Sequence, residues 1–300
     1  MTLDTVDLLF NLLVLLFWMR IWQPDPVADR WNPYLAGLAG LTQPVMDLGR
    51  RRSGTAPAWL ALVPWMLLIL FRGVALPWMG TDSIRQSWVL ELGFEWLYPA
   101  QTALNGAWSW ILFSLFSFAV FLFKVWGVSL LLLRGTRGVP SSDPVATVLY
   151  RMSQPFSDLK PAWRISVLLA YGFLLIAVMH GAQAGNATPA LMSFPPTITH
   201  IAQAVVSAAA GIADLLMPLQ SLLIILIIGS WAAMFGGVAF GLRCQEWLAF
   251  ILAPFRRFPL HLGPLDLTPL LAFAACGLLH WMLNGPYGVL RLLFLFLGTV

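Results

Sequence analysis

The 300-residue chain is 59% hydrophobic and only 10% charged, with a mean hydropathy of +0.80. So few charges cannot cover the surface of a soluble domain of this size, so the class is integral membrane protein, with spans expected to be helical. The net charge of +4 is small and spread over loops. It argues against nucleic-acid binding, and the two cysteines, Cys244 and Cys276, have neither CxxC nor metal-type spacing.

Along the chain, the opening MTLDTVDLLF carries Asp4 and Asp7 where a cleaved leader needs basic residues, so Val6–Trp22 is expected to be a retained first span. Five more apolar runs follow: Ala56–Met79, Trp108–Leu133, Pro161–Met179, Ser221–Leu242 and Thr268–Leu283. Ile84–Leu97 and Ile201–Met217 mix Trp, Leu and Val with polar residues and are expected to be interfacial or re-entrant helices. The C-terminal YGVLRLLFLFLG reads the same way. The expected fold is all-α and polytopic, with six spans in three hairpin repeats: residues 1–80, 81–180 and 181–300. Tryptophans near span ends, among them Trp22, Trp59, Trp78, Trp108, Trp163 and Trp281, fit interfacial anchoring.

Charge sets the expected orientation. Five of the 17 Lys and Arg residues lie at the end of the first span or between it and the second (Arg20, Arg30, Arg50, Arg51, Arg52). Five more surround the loop between spans three and four (Arg134, Arg137, Arg151, Lys160, Arg164), and three lie between spans five and six (Arg243, Arg256, Arg257). Residues 181–200 hold none. The basic loops are therefore expected in the cytoplasm and both termini outside.

Each basic loop carries a related stretch. At an offset of 111, Pro33 falls on Pro144, Leu38 on Leu149, Gln43-Pro44 on Gln154-Pro155 and Asp47-Leu48 on Asp158-Leu159. Asn32-Pro33 and Asp143-Pro144 are helix starts, since a side-chain oxygen caps free N–H groups and proline loses nothing at the first position. Apolar stripes follow at helical spacing: Leu35, Leu38, Leu41 and Val45; then Val145, Val148, Leu149, Met152 and Phe156. A third stripe is Cys244, Trp247, Leu248, Ile251 and Phe255. Helices of about three turns are too short to span, so each is expected to lie along the cytoplasmic interface. They should stop near Pro44, Pro155 and Pro254, with arginines following where headgroups receive them. The repeated unit is an elbow, and three elbows on one side imply parallel rather than inverted repeats.

These residues resemble the YggT (YlmG) family of small bacterial and plastid membrane proteins, usually built from two such hairpins. Asn32-Pro33 with Thr42-Gln43-Pro44, and Ser153-Gln154-Pro155, match its elbow pattern. PFRRFPLHLGPLDLTP matches its downstream element through Pro254, Arg256, Arg257, Gly263, Asp266, Thr268 and Pro269. The third unit lacks Asn-Pro, the first two lack the Asp-Leu-Thr-Pro element, and three units exceed the usual two. The resemblance implies no enzymology. It implies a helper in the assembly or upkeep of membrane complexes, partnered by integral membrane proteins and by phospholipid headgroups.

Other residues carry competing readings. Lys124, Asp214 and Arg72 place charge within or beside apolar runs, where it is expensive. An ion or osmolyte pathway would use Lys124 with Asp214, whereas snorkelling or structural pairing would leave them inert, and Arg72, nearer the outer end, is expected to snorkel. His180 and His280 lie 25 and 26 residues after Pro155 and Pro254 and could ligate a haem b. Arg256-Arg257 with Asp266 could form a cytoplasmic clasp. No nucleophile–base pair, HExxH or phosphate loop occurs. The leading expectation is therefore a non-catalytic assembly factor or accessory subunit without a cofactor.

Overall fold

The computed structural model describes residues 3–22, 31–53, 58–75, 91–96, 107–133, 143–184, 198–236, 239–253, 255, 261–262 and 265–299. The fold is all-α. The described residues form eleven α-helices: α1 (Leu3–Ile21), α2 (Pro33–Ser53), α3 (Leu62–Ala75), α4 (Ala107–Leu132), α5 (Pro144–Met152), α6 (Pro161–Ala184), α7 (Ile198–Asp214), α8 (Leu216–Gly236), α9 (Ala239–Ile251), α10 (Thr268–Asn284) and α11 (Val289–Thr299). Two antiparallel two-residue ladders complete it, pairing Glu91–Leu92 with Glu95–Trp96 and His261–Leu262 with Leu265–Asp266. Two stretches, Trp108–Leu132 and Ile201–Trp231, are long and apolar enough to cross a membrane; Leu9–Ile21, Leu62–Ala75 and Trp163–Met179 are shorter apolar helices.

Helix α4 is strongly apolar, with large hydrophobic residues on every side and few polar ones, the pattern of a helix enclosed by others, and it is the centre of the bundle. Phe118, Val120, Phe121, Phe123 and Trp126 are all buried. Helices α1, α3, α5 and α6 pack around it. The helices pair antiparallel within each repeat. In the first, Phe10 meets Phe71 and Trp18 meets Trp65, both at 5.8 Å between ring centroids. In the second, the Tyr171 hydroxyl donates to the Ala119 carbonyl at 3.1 Å, while Leu168 packs at Gly127. In the third, Gln220 reaches the Phe273 carbonyl, and Asp214 reaches His280 further along α10.

Four expectations need correction. Helix α2 does not stop near Pro44 but runs through it to Ser53. Proline there removes the bond to the Gly40 carbonyl, yet Gly40 is exposed, and Gln43 donates to Asp47 at 2.7 Å across the gap. The second copy behaves as expected: α5 ends at Met152, ahead of Pro155. There Tyr150 hydrogen-bonds Asp158, and Arg164 donates to the carbonyls of Ser157 (2.8 Å) and Leu159 (2.9 Å), fixing a 3-10 turn over Phe156–Asp158. At the same offset of 111 the first copy has Ala39 and Ser53, which cannot make these contacts, so identical Gln-Pro letters take different shapes.

Ile201–Met217 is not a peripheral helix. Ala204, Ser207, Ala208 and Ala210 are buried where α7 packs on α6 and α11, and α7 leads into α8 after a break at Leu215. Pro218 explains the break, because it cannot donate to the Asp214 carbonyl. The described part of Ile84–Leu97 is a tight hairpin, not a helix. Gly93 turns it with φ of 64°, and a Cβ there would lie 2.1 Å from the Ser207 carbonyl oxygen. Finally, the fifth apolar run divides: α8 ends at Gly236, and Phe240 and Leu242 belong to α9, which folds back onto α8 so that Cys244 packs at Gly229.

Candidate functional site

The elbows meet at one end of the bundle. Asn32 caps α2 through Oδ1, which accepts from the backbone N–H groups of Tyr34 (3.1 Å) and Leu35 (3.3 Å). Its amide Nδ2 donates to the Pro144 carbonyl at 2.9 Å, tying the first elbow to the second. Asp143 caps α5 in the same way, through Val145 (2.9 Å) and Ala146 (3.3 Å). Pro33 and Pro144 stand first in their helices. The Tyr34 hydroxyl donates to Glu246 Oε2 on α9 at 2.8 Å, tying the first elbow to the third. Arg243 grips both Glu246 oxygens at 2.9 and 3.0 Å and lies over the Tyr34 ring. Burial, with Glu246 beside it, pushes the Tyr34 hydroxyl up to about 12. The hydrogen bond from Tyr34, followed by those from Arg243, holds the Glu246 carboxyl below its usual range. Beneath, Leu133, Val145, Ala146 and Leu149 form a small core with Tyr34 and Trp247 against it.

Within the first repeat Arg20 donates to Gln43 Oε1 at 3.1 Å, and Arg151 ties the second repeat to the first by donating to the Trp22 carbonyl at 3.2 Å. Gln154 and Pro155 sit in the turn after α5. In the third repeat, Asp266 Oδ1 accepts the Thr268 N–H at 2.9 Å and so starts α10. Pro254, the expected stop of the third elbow helix, and Arg256 and Arg257, the rest of the expected clasp, lie outside the described residues.

The second polar assembly lies far along the bundle from the elbows. His280 and Asn284 are 12 and 16 residues into α10 from Thr268, roughly 18–24 Å at helical rise. A cavity of 390 Å³ opens there, lined by Lys124, Asp214, His280, Asn284, Arg291 and the tip of the Gly93 hairpin. Asp214 Oδ1 lies 2.9 Å from His280 Nε2 and accepts from Asn284 Nδ2 at 2.6 Å. The same amide nitrogen donates to the Ala210 carbonyl at 2.8 Å. Asn284 Oδ1 is buried and has no hydrogen-bond partner among the described residues. Lys124 is 8% exposed and borders the cavity from α4.

Lys124 and Asp214 thus line one cavity, as a shared pathway requires. Arg72 stands elsewhere and does not snorkel. It is 2% exposed, and its guanidinium donates to the Ser114 carbonyl (3.0 Å) and the Ser117 hydroxyl (2.8 Å) on α4. Asn284 and Arg291 carry no expectation from the sequence, and the contact of His280 with Asp214 is likewise not among the expectations. The i, i+4 spacing of His280 and Asn284 was the available signal, since it puts both on one face. The side chain of His180 lies outside the described residues. Among the described residues no three His, Cys, Asp or Glu side chains gather as metal ligands.

Against known proteins, the chain matches no family model, no curated protein and no solved structure, so both assemblies are read from their own residues.

Proposed function

We propose that the chain is a non-catalytic membrane protein that acts as an assembly or stabilising factor, or an accessory subunit, of a larger membrane complex. It has six spans in three parallel repeats in a bacterial cytoplasmic membrane, with elbows and basic loops on the cytoplasmic side and both termini outside. The observation that carries this reading is the closure of the three elbow helices on one another, through Asn32 to Pro144 and Tyr34 to Glu246. Parallel repeats put their elbows on one side, where such closure is available. The outer faces suit apolar surroundings: Met66, Leu67 and Phe71 on α3, and Ile225, Ile228 and Trp231 on α8, are exposed. The resemblance to the YggT family agrees with a helper role. Its partners are integral membrane proteins, with phospholipid headgroups at the basic loops.

Co-purification in mild detergent with mass spectrometry tests this reading. A stoichiometric integral-membrane partner is expected, and a chain that always purifies alone refutes it. For orientation, a cysteine at Ser53 labels only from the cytoplasm and one at Asn186 only from outside.

A second reading, an ion or osmolyte pathway, is favoured by the cavity that Lys124 and Asp214 share. Lys124→Met in proteoliposomes separates the two. Flux lost in this variant, while variants with Gln43-Pro44 or Gln154-Pro155 replaced by Ala-Ala still co-migrate with their complex, supports transport over the helper role.

A further inference from the structure

Helices α4, α6 and α7 leave a narrow crevice between them. Gly172 of α6 meets Ala208 of α7. Continued antiparallel, that pairing puts Ile212 beside Leu168 and ends α7, at Asp214, just short of Arg164. The first turn of α6 therefore has no cover from α7, and Trp163 and Ile165 are exposed there. No side chain fills the gap from α4 at residue 127, because Leu215 presses on Gly127. Leu130 and Leu131 of α4, Ile165 and Leu168 of α6, and Ile212 of α7 line the crevice. Leu168, 3% exposed, is its floor, and Ile165, 43% exposed, stands at the rim.

The volume is about 60 Å³, room for roughly four to six water-sized groups. Those side chains are all apolar, so water finds no hydrogen-bond partner among them, and a run of methylenes needs none. One polar side chain, Arg164, borders the crevice. It is fixed in place: Nε donates to the Leu159 carbonyl at 2.9 Å and Nη2 to the Ser157 carbonyl at 2.8 Å. Those bonds leave Nη1 without a partner among the described residues, and a guanidinium stays charged. Lys160 is exposed one helical turn earlier, where its carbonyl accepts the Arg164 backbone N–H at 3.3 Å. The nearby carboxylate of Asp158 is held by the Tyr150 hydroxyl. Two cations at the mouth of an apolar slot complement an anionic head joined to a hydrocarbon tail.

We propose that this crevice holds one acyl chain of an anionic phospholipid, with its phosphate at Arg164 and Lys160. The proposal rests on the membrane placement given above and goes past headgroup attraction at basic loops, because it assigns one lipid to one slot. Arg164 also fixes the turn after α5, so a lipid seated there ties the bilayer to the second elbow.

The test is titration of the full chain, purified in mild detergent, with dioleoylphosphatidylglycerol, followed by native mass spectrometry. One lipid per chain is expected to bind first. Dioleoylphosphatidylcholine, with the same chains and no net charge, should bind about fivefold more weakly or worse. Excess glycerol 3-phosphate should not displace the lipid, since a head alone leaves the slot empty. Lys160→Gln should weaken binding about fivefold. Ile165→Trp, which fills the slot from its rim and keeps both cations, should weaken it by about as much. Ile225→Trp, on the exposed face of α8, should change nothing. None of these variants removes Arg164, whose bonds hold the turn. Equal binding of the two lipids makes the contact a general bilayer contact and overturns the proposal. So does full displacement by glycerol 3-phosphate, which makes the site a phosphate site alone, or an Ile165→Trp variant that binds like wild type. The lipid bound selectively by a chain that always purifies without a partner refutes the helper reading and leaves the site standing. A co-purifying partner with no lipid preference does the reverse.

Discussion

Asn32 does two jobs that substitution can separate. Its Oδ1 caps α2, and its Nδ2 bonds the Pro144 carbonyl of the next repeat. Asn32→Ala removes both, costing about 1 kcal/mol for the cap and about 1 kcal/mol for the partly buried bond, or roughly 2 kcal/mol in all. Asn32→Ser keeps a cap and loses the bond, for about 1 kcal/mol. Asn32→Asp is the sharper probe. Aspartate caps as well as asparagine and is the residue at the equivalent position 143, so a cap alone predicts no change. With the inter-repeat bond in place, it sets a carboxylate against a carbonyl and should cost at least as much as serine. Stability is read by denaturant titration in mixed micelles, following tryptophan fluorescence. If Asn32→Asp and Asn32→Ser unfold with the wild type while only Asn32→Ala falls, the bond between repeats contributes nothing and the argument for a locked elbow platform fails.

Pro44→Ala should leave the protein as stable as before or raise it by up to about 3 kcal/mol, because α2 already passes through this position; a clear loss of thermal stability would show that the proline shapes the helix. Tyr34 ionises at about 10 when unfolded and about 12 when folded, so its contribution is complete below pH 10 and is lost as pH rises from 10 to 12. Tyr34→Phe should flatten that part of the stability profile, and an unchanged alkaline slope would contradict the bond to Glu246. Gly93→Ala forces a side chain into a left-handed backbone and against the Ser207 carbonyl, at a cost of about 2–4 kcal/mol; a melting temperature equal to that of wild type would refute the close approach. Purified protein should show no Soret band, and a stoichiometric band would restore the haem reading of His180 and His280.

What the sequence made legible followed from local rules. Asn32 and Asp143 start helices as capping residues must, and the apolar runs mark α1, α4, α6 and α10 within a few residues. Local rules failed where distant residues decide. Whether Gln-Pro ends a helix depends on Tyr150 and Arg164, present in one copy and replaced by Ala39 and Ser53 in the other. Polar content made Ile201–Met217 look interfacial, yet its alanines and glycine serve close packing, and Gly211 admits the buried Leu92 of the hairpin. The cavity was half visible. Lys124 and Asp214 stood out as charges in apolar runs, whereas Asn284 is an ordinary amide at a helix end until α7 is laid against α10.

With the membrane placement proposed above, Arg72 sets an order of events for biogenesis. Its bonds to Ser114 and Ser117 reach 42 and 45 residues ahead in the chain, so the first helical pair leaves the ribosome before α4 exists. A guanidinium entering lipid without those partners costs roughly 2.5–3.5 kcal/mol on insertion scales, enough to hold the early chain at the insertion machinery. Translation of α4 then supplies both the apolar centre and the acceptors in one step. A chain truncated after residue 80 should be inserted poorly and degraded quickly, whereas one extended past residue 133 should settle in the membrane.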